Sequence, residues 1–246
     1  MTKCDKHNAK QHDYSHNFWI GCHKCSEGCK FCYMFLAQAS RNVNPEEVRR
    51  VVTRWNDPLK VQKRLEQTGE HKSVFACSYS DFFMEEADQW RDDAWDVIRR
   101  TPNLVWQLTS KRTHLIADRL PPDWGSGYKN VWLGTSVELK KHLPRLDALR
   151  EIPCVLRWVD FAPTLEDLMP ELADHIDGMG WVCASGETGC GVVQPRPWNP
   201  QWARNIRDLC KERKIPFFFS HIASKARYPN RFLDGVEHND VPALLA

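Results

Sequence analysis

Short runs of apolar residues, rich in β-branched and aromatic side chains, recur along the chain and alternate with longer stretches of helical spacing. Nearly continuous apolar runs are typical of strands that are buried on both faces, as in a parallel sheet covered by helices. The pattern predicts seven strands, at residues 16–20, 74–78, 104–108, 131–135, 155–159, 181–184 and 215–219. The first of these is the weakest candidate.

Helices are expected between the strands, and three of them have a proline at a recognisable start, at residues 44–45, 57–58 and 199–200. Further helices are predicted from near residue 33, over about 88–100, 139–150 and 164–177, and as a short one ending near 120. Alternation of this kind favours an α/β fold in which seven βα units form a barrel or partial barrel. We expect one domain over residues 1–246, with a core at about 16–221 and a C-terminal extension at 222–246.

Six of the predicted strands are followed at once by polar residues. In a parallel barrel the carboxyl ends of the strands converge on one rim, which is where ligands bind. One serine after a strand is usually a helix cap, but six polar ends in register predict a shared ligand site. The residues are Ser78, Ser80 and Asp81; Thr109, Ser110 and Lys111; Thr135, Ser136 and Glu138; Arg157 and Asp160; Ser185 and Glu187; and Ser220 and His221.

The composition is that of an ordinary globular protein, with 42% hydrophobic and 27% charged residues among 246. No apolar stretch approaches the roughly 18 residues that would span a bilayer, and residues 1–14 lack the apolar segment of a signal peptide. We therefore expect a cytoplasmic protein with no membrane partner. Basic residues cluster near 49–64 and 140–145, where they form either solvated helix faces or a phosphate-contacting surface.

Ten cysteines are many for a cytoplasmic chain, and five of them fall in the first 32 residues. A reducing compartment disfavours disulfides, so clustered thiols indicate metal ligands. Cys25, Cys29 and Cys32 have the spacing C-x3-C-x2-C, with the aromatic Phe31 directly before the last. Three thiolates would bind three irons of a [4Fe–4S] cluster and leave the fourth open to S-adenosylmethionine (SAM), whereas a closed electron-transfer cluster requires four.

Zinc is the alternative ligand, because Cys22 and Cys25 with Cys29 and Cys32 are formally two C-x2-C pairs. Only three residues separate these pairs, whereas zinc sites normally place a dozen or more between them. Ferredoxin spacing, C-x2-C-x2-C, also differs from the spacing here. Cys22 is left without an assigned role.

At these residues the chain resembles the radical SAM superfamily, whose hallmark is C-x3-C-x-aromatic-C after a first strand. It resembles more closely a phage-associated radical SAM family linked to DNA thymine hypermodification. The resemblance implies a partial (β/α)6-type barrel of parallel strands with outer helices, and an enzyme that uses a [4Fe–4S] cluster and SAM. The matching motifs stand at residues 21–33, 78–83, 107–112, 130–138, 185–189 and 216–219.

The resemblance also implies roles for residues at the strand ends. Lys111 and Glu187 are the candidate catalytic residues, which bind substrate or position a proton. Arg157 has a second possible role, in a salt bridge with Asp160 or Glu187. The candidate SAM ligands are Phe31 for the adenine, Ser78, Ser80 or Asp81 for the ammonium group, Ser136 and Glu138 for the ribose hydroxyls, and Arg157 for the carboxylate. Candidate hydrogen-atom donors, for which structural roles are nevertheless favoured, are Cys77, Tyr79 and Cys183.

Three hypotheses cover the substrate. In the first, a radical derived from SAM abstracts hydrogen from a modified nucleobase in phage DNA and isomerises N-linked to C-linked glycyl-thymine. The partners are then DNA and a small electron-transfer protein such as flavodoxin, in the cytoplasm of the host cell. The second is a radical SAM enzyme acting on RNA, a peptide or a metabolite. The third is a zinc-binding, non-enzymatic DNA-binding module.

Overall fold

The computed structural model describes residues 1–3, 11–226 and 229–243. Its strands are β1 (Thr2–Lys3), β2 (Tyr14–His16), β3 (Trp19–Ile20), β4 (Arg49–Arg50), β5 (Lys72–Ala76), β6 (Leu104–Ser110), β7 (Val131–Ser136), β8 (Leu156–Phe161), β9 (Trp181–Ser185), β10 (Phe217–His221), β11 (Phe232–Leu233) and β12 (Val236–Glu237). Its α-helices are α1 (Tyr33–Ala39), α2 (Asp57–Thr68), α3 (Asp88–Arg99), α4 (Pro144–Arg150), α5 (Leu172–His175) and α6 (Pro200–Arg213).

The main sheet has the strand order β1-β2-β5-β6-β7-β8-β9-β10. Strand β1 pairs antiparallel with β2, and the other seven strands run parallel to one another. They form a curled half-barrel, which confirms the predicted α/β fold class and partial barrel. Because all seven strands point the same way, their carboxyl ends lie along one rim.

Alternation along the strands gives the half-barrel two different faces. On the outer face, residues such as Leu133 and Val159 pack with α3, α4 and α6 in the larger core. The inner face carries a second cluster made largely of aromatic rings, which comprises Val105, Trp132, Trp158, Trp181, Cys183 and Phe218. This cluster fills the half-barrel below the rim and forms a floor for whatever binds above it.

Helix starts were predicted correctly where the caps act locally. Helix α2 begins at Asp57 and ends at Thr68, and it is capped by Gly69, whose φ of +70° is the left-handed conformation that glycine adopts readily. Helix α6 begins after Asn199, whose side chain accepts a hydrogen bond from the Gln201 amide at 3.0 Å. These signals depend on neighbouring residues alone, so sequence is sufficient to find them.

Two predicted helices and the predicted first strand differ from the structure. The helix expected at residues 44–45 is absent, because the Cys22 amide binds the Pro45 carbonyl oxygen at 2.9 Å and the chain continues into β4, which pairs with β3. The predicted first strand is accordingly split between β2 and β3. The helix expected over 164–177 is reduced to α5, because Pro170 lies inside the predicted stretch and a proline interrupts a helix.

The C-terminal segment is ordered against the sheet rather than separate from it. Strands β11 and β12 form a hairpin, and the chain then runs beside β10. The Phe219 amide binds the His238 carbonyl oxygen at 2.9 Å, and the Asp240 amide binds the Phe217 carbonyl oxygen at 3.2 Å. The segment therefore covers the β10 edge. None of the helices in the described ranges combines the length and apolar character needed to span a bilayer.

The inner floor gives the first prediction. A Cβ atom added at Gly134 on β7 would lie 2.5 Å from Cε2 and Nε1 of Trp158. Gly134→Ala should therefore force the Trp158 ring out of place and destabilise the protein by about 1–3 kcal/mol, the usual cost of overpacking. Urea unfolding measures the change, with Ser126→Ala in an exposed loop as the control. Equal midpoints for the two variants would contradict the packing described here.

Candidate functional site

A cavity of about 250 Å³ at the rim of the half-barrel contains the cysteine loop, which we define as residues 21–33. Cys22, Cys25, Cys29 and Cys32 all line this first cavity. The opposite wall is formed by residues at and beyond the carboxyl ends of β5, β6, β7, β8 and β9. The fold therefore brings the amino-terminal cysteines, which precede most of the sheet in sequence, to the strand ends.

The candidate cluster ligands differ in exposure, since Cys25 is exposed, Cys32 is half-buried and Cys29 is buried. The Cys25 and Cys29 thiols share a hydrogen bond, which raises the pKa of Cys25 and lowers that of Cys29. The Ser26 hydroxyl lies 3.6 Å from the Cys29 Sγ.

The cysteine thiols suit a [4Fe–4S] cluster better than they suit a single metal ion. In the part of the chain that is described, no three His, Cys, Asp or Glu side chains are arranged as ligands of a single ion. A [4Fe–4S] cluster makes a different demand, because each thiolate binds its own iron. Three thiols at one end of a cavity, with the cations Lys111 and Arg112 in the same cavity wall, suit such an anionic cluster.

Glu138, just beyond β7, is the centre of a buried ion cluster. Its side chain is fully buried, pairs with Lys111, and lies 3.0 Å from Arg145 Nη1 and 2.9 Å from His142 Nδ1. Burial acts to raise the pKa of Glu138, but Lys111, Arg145 and Ser26 outweigh it and lower the pKa to about 2. The carboxylate is thus ionised at any physiological pH.

The Glu138 ion cluster also holds the cysteine loop. The Ser26 hydroxyl donates to Glu138 Oε1 at 2.8 Å. A Cβ atom on Gly28 would fall 2.5 Å from the same oxygen, so the loop backbone passes directly over the carboxylate. Glycine is required at this close approach because any larger residue would displace the loop.

Two further ion pairs hold the loop at other points. Asp81 is buried, accepts from the Ser110 hydroxyl at 2.8 Å and pairs with Arg112 Nη1 at 3.0 Å. Arg112 Nη2 in turn donates to the His23 carbonyl oxygen at 2.8 Å, and Nη1 lies 3.9 Å from the Cys22 Sγ. This pair fixes the first half of the loop.

The third ion pair joins Glu187, beyond β9, to Arg196. The Arg196 Nε lies 3.0 Å from Glu187 Oε2, and Arg196 Nη1 donates to the Glu27 carbonyl oxygen at 3.0 Å. The guanidinium also lies 5.5 Å from the centre of the Phe31 ring. Arg196 was not anticipated from the sequence, since it lies outside the predicted elements and only the fold brings it to the loop. We call these three ion pairs, centred on Asp81, Glu138 and Glu187, the three clamps.

The first cavity collects most of the residues predicted to bind SAM or substrate. The Ser80 hydroxyl donates to the Gly21 carbonyl oxygen at 2.5 Å, and the Ser78 hydroxyl lies 2.9 Å from that of Ser15. The cavity-lining residues among those predicted are Phe31, Ser78, Ser80, Asp81, Lys111, Ser136 and Glu187.

Two predicted SAM ligands are placed elsewhere. Glu138 does not line the cavity, because its carboxylate is fully buried among its partners. Arg157 lies on the outer face of β8, where Nε and Nη2 donate to the Leu149 and Ile152 carbonyl oxygens at 3.1 and 2.6 Å. Its predicted contacts with the SAM carboxylate and with Asp160 are wrong, since residues three apart on a strand point to opposite faces.

The candidate hydrogen-atom donors are divided between different surroundings. Cys77 is buried in the wall of the first cavity, with a left-handed φ of +55°. Cys183 belongs to the aromatic floor. Tyr79 lines a second, larger cavity, and its ring packs edge-on against that of Tyr33 with centroids 5.7 Å apart.

This second cavity, of about 1260 Å³, adjoins the first. Eight residues line both, and we call the place where they meet the junction: Tyr33, Phe75, Ser78, Asp160, Ala162, Ser185, Thr188 and His221. The second cavity is also lined by Arg41, Arg54 and Arg231, whereas Asp160 is the one carboxylate among its described lining residues. Its wall is therefore cationic.

Asp160 lies at the rim, where the sequence analysis placed it, but the salt bridge predicted for it with Arg157 is absent. It follows the inward-facing Trp158 by two positions on β8, so it also faces inward, and this alternation was the signal available in the sequence. No side chain in the described ranges donates a hydrogen bond to its carboxylate. Burial raises the pKa of Asp160 to about 7; Lys111 opposes this shift and Glu138 adds to it.

Comparison with known proteins bears on the family and the fold. The profile of a family described as "Protein of unknown function (DUF5131)" matches residues 7–242. No curated protein matches the chain.

Two solved structures of spore photoproduct lyase have a similar fold. One is a mutant with bound AdoMet (SAM) and dinucleoside spore photoproduct; it has a TM-score of 0.53 at 16% identity, over 85% of this chain and 63% of that one. The other, complexed with dinucleoside spore photoproduct, has a TM-score of 0.54 at 14% identity, and the match covers 83% of this chain and 75% of that one. The chain thus spans less than two thirds of the first structure's length.

The Glu138 ion cluster gives the second prediction. Glu138→Gln should destabilise the iron-free protein by about 3 kcal/mol near neutral pH, because it leaves buried cations without their counter-charge. Since folding lowers the Glu138 pKa from its ordinary 4.5 to about 2, the contribution is present above the unfolded pKa and lost as pH falls through about 2. Urea unfolding at several pH values checks both effects. The exposed Glu151→Gln is the control, and an equally small change in both variants would refute the assignment.

Proposed function

The chain belongs to the family described as "Protein of unknown function (DUF5131)", and from its site we propose that it is a radical SAM enzyme acting on a modified nucleobase in DNA. One observation carries the proposal. Three cysteines with C-x3-C-x2-C spacing line the same cavity as the polar ends of the parallel strands. We treat residues 1–246 as one domain, with residues 222–246 as its C-terminal extension.

Cys25, Cys29 and Cys32 would hold the [4Fe–4S] cluster, with Lys111 and Arg112 offsetting its negative charge. When bound, the cluster and SAM supply a 5′-deoxyadenosyl radical that abstracts a hydrogen atom from an unactivated carbon. The protein contributes position and exclusion of water. The three clamps fix the cysteine loop against the strand ends, so that the ligands of the cluster do not drift relative to the cavity wall.

The first cavity offers suitable partners for SAM. We propose Phe31 for contact with the adenine, Ser78 or Ser80 for the ammonium group and Ser136 for the ribose hydroxyls. Asp81 acts through Arg112, because its oxygens already accept from Arg112, Ser110 and the Phe83 amide.

Lys111 and Glu187, the candidate catalytic residues, are charged side chains in the cavity wall. Burial acts to lower the pKa of Lys111, but Glu138, Cys29 and Asp160 together outweigh it and raise the pKa, so Lys111 Nζ stays protonated. We propose Lys111 as a hydrogen-bond donor to substrate. Glu187 is held by Arg196, and we propose that it shapes the cavity through that pair.

DNA as substrate is supported by two independent features. The solved structures of similar fold are of spore photoproduct lyase with a bound dinucleoside spore photoproduct. The second cavity of this chain is cationic, and its volume exceeds the usual range of ligand pockets. The specific reaction we propose is isomerisation of N-linked to C-linked glycyl-thymine, which begins with hydrogen abstraction at the glycyl α-carbon. A small electron-transfer protein such as flavodoxin would supply the electron, in the cytoplasm of the host cell.

Cluster binding is tested by cysteine substitution. Cys29→Ala should lose most of the iron and sulfide of anaerobically purified protein, because two thiolates hold a cubane poorly. It should also abolish reductive formation of 5′-deoxyadenosine from SAM. Cys210→Ala, on α6 in the outer core, is the matched control and should retain both. Cys22→Ala should retain the cluster as well, and retention of iron by Cys29→Ala would rule out the assignment.

The substrate is tested with DNA that carries N-linked glycyl-thymine. Reconstituted protein, SAM and a chemical reductant should yield a nucleoside of unchanged mass with altered chromatographic retention and fragmentation, as expected for a C-linked isomer. Omission of SAM is the control. If 5′-deoxyadenosine accumulates while the modified nucleoside stays unchanged, the enzyme class stands and the substrate is a different one, such as RNA, a peptide or a metabolite.

A further inference from the structure

We propose that the junction between the two cavities is a pocket for an extruded thymine base, in which Phe75 contacts the ring and Asp160 binds its Watson–Crick edge. The inference rests on the proposed function only for the identity of the substrate as DNA. The second cavity would then hold the neighbouring backbone.

The geometry of the junction is that of a small-molecule site rather than of a packed core. Phe75, Asp160, Ser185 and His221 come from β5, β8, β9 and β10, and all four line both cavities. Phe75 and Asp160 are only half-buried, because each is open to the cavities. A ligand seated here touches the proposed SAM cavity on one side and the cationic cavity on the other.

Phe75 provides an aromatic surface whose position is fixed. Its ring stacks on His12, with centroids 5.2 Å apart, and meets Trp158 edge-on at 6.3 Å. Contacts of a base with a fixed aromatic ring contribute to binding for every base, so Phe75 supplies affinity and not selectivity.

Asp160 supplies the edge contact. Its carboxylate accepts no hydrogen bond from the described side chains, although it lies in a wall where the other carboxylates, Asp81 and Glu187, are fully engaged. A protonated carboxyl group presents one donor beside one acceptor, which matches the N3–H and O4 of thymine. That edge is accessible only in a base that is unpaired or flipped out of the duplex.

The charges around Asp160 set which form it takes. Lys111 and Glu138 face it from the ends of β6 and β7, Tyr33 from the start of α1 and Cys183 from β9, while His221 shares the junction. Burial dominates among these influences and raises the pKa of Asp160 to about 7. The protonated form is therefore well populated at and below neutral pH.

The mouth of the second cavity suits a phosphate backbone. Arg41 and Arg54 line it and are exposed. Each phosphate neutralised on single-stranded DNA contributes about 0.7 to the slope of log affinity against log salt concentration. With two such contacts, the affinity of the double variant Arg41→Gln, Arg54→Gln should depend less steeply on salt, and the magnitude of the slope should be smaller by about 1.4.

The experiment measures binding without turnover. Anaerobically purified full-length protein, without SAM, is titrated into a fluorescein-labelled oligothymidylate of about eight nucleotides, and anisotropy is followed. The wild type should bind about tenfold more tightly near pH 6 than near pH 8.5, because protonation of Asp160 completes the donor–acceptor pair. Asp160→Asn carries a donor and an acceptor at every pH, so its affinity should stay flat and close to the wild-type value near pH 6.

Asp160→Leu and Phe75→Leu should each weaken binding about tenfold near pH 6. The exposed Asp118→Asn is the matched control and should behave as the wild type, and thermal melting confirms that every variant is folded. Binding that strengthens as pH rises, wild-type affinity in Asp160→Leu, or no detectable binding of the oligothymidylate would each overturn the pocket. Loss of SAM cleavage with these binding effects intact would instead overturn the proposed function alone.

Discussion

The site depends on one buried carboxylate. Glu138 has no contact with solvent, so it stays ionised only because Lys111, Arg145 and the Ser26 hydroxyl stabilise its charge. A buried ion cluster of this kind adds little net stability compared with apolar packing, but it tolerates few alternative arrangements. Because the Ser26 hydroxyl donates to the same carboxylate, the position of the cysteine loop is fixed by the end of β7. The loop has little regular structure of its own to fix it.

The other two clamps extend this constraint across the rim. Asp81 follows β5, Glu187 follows β9, and each holds an arginine that donates to a carbonyl oxygen of the loop. The loop is therefore attached at points spread over the parallel sheet, and its shape is set by the strand register. Strand register is in turn specified by the two apolar faces, since a slip of one residue would turn the aromatic floor outward. Packing far below the rim thus determines where the thiols lie.

Sequence was sufficient where a signal is local or periodic. Six of the seven predicted strands were found within a few residues, and the caps of α2 and α6 were recognised because they involve adjacent residues. Prediction from the sequence failed where a segment distant in the chain determines the conformation, as at Pro45, whose carbonyl oxygen accepts a hydrogen bond from the Cys22 amide. The error at Arg157 was different, because alternation along β8 was visible in the sequence and would have separated Arg157 from Asp160. Arg196 gave no signal at all, since only the folded chain brings it to Glu187.

The same alternation explains why one strand serves both stability and chemistry. On β8, Arg157 faces outward and donates to the carbonyl oxygens of Leu149 in α4 and of Ile152 just after it, whereas Trp158 and Asp160 face inward. Trp158 closes the floor and Asp160 stands directly above it, at the level where the two cavities meet. This arrangement suits a shallow pocket, because the aromatic floor excludes water from beneath the carboxyl group. The rim above it remains open to a ligand. Burial at this level of the half-barrel is the largest influence on the pKa of Asp160. The packing that completes the half-barrel therefore also gives Asp160 a form that can donate a hydrogen bond near neutral pH.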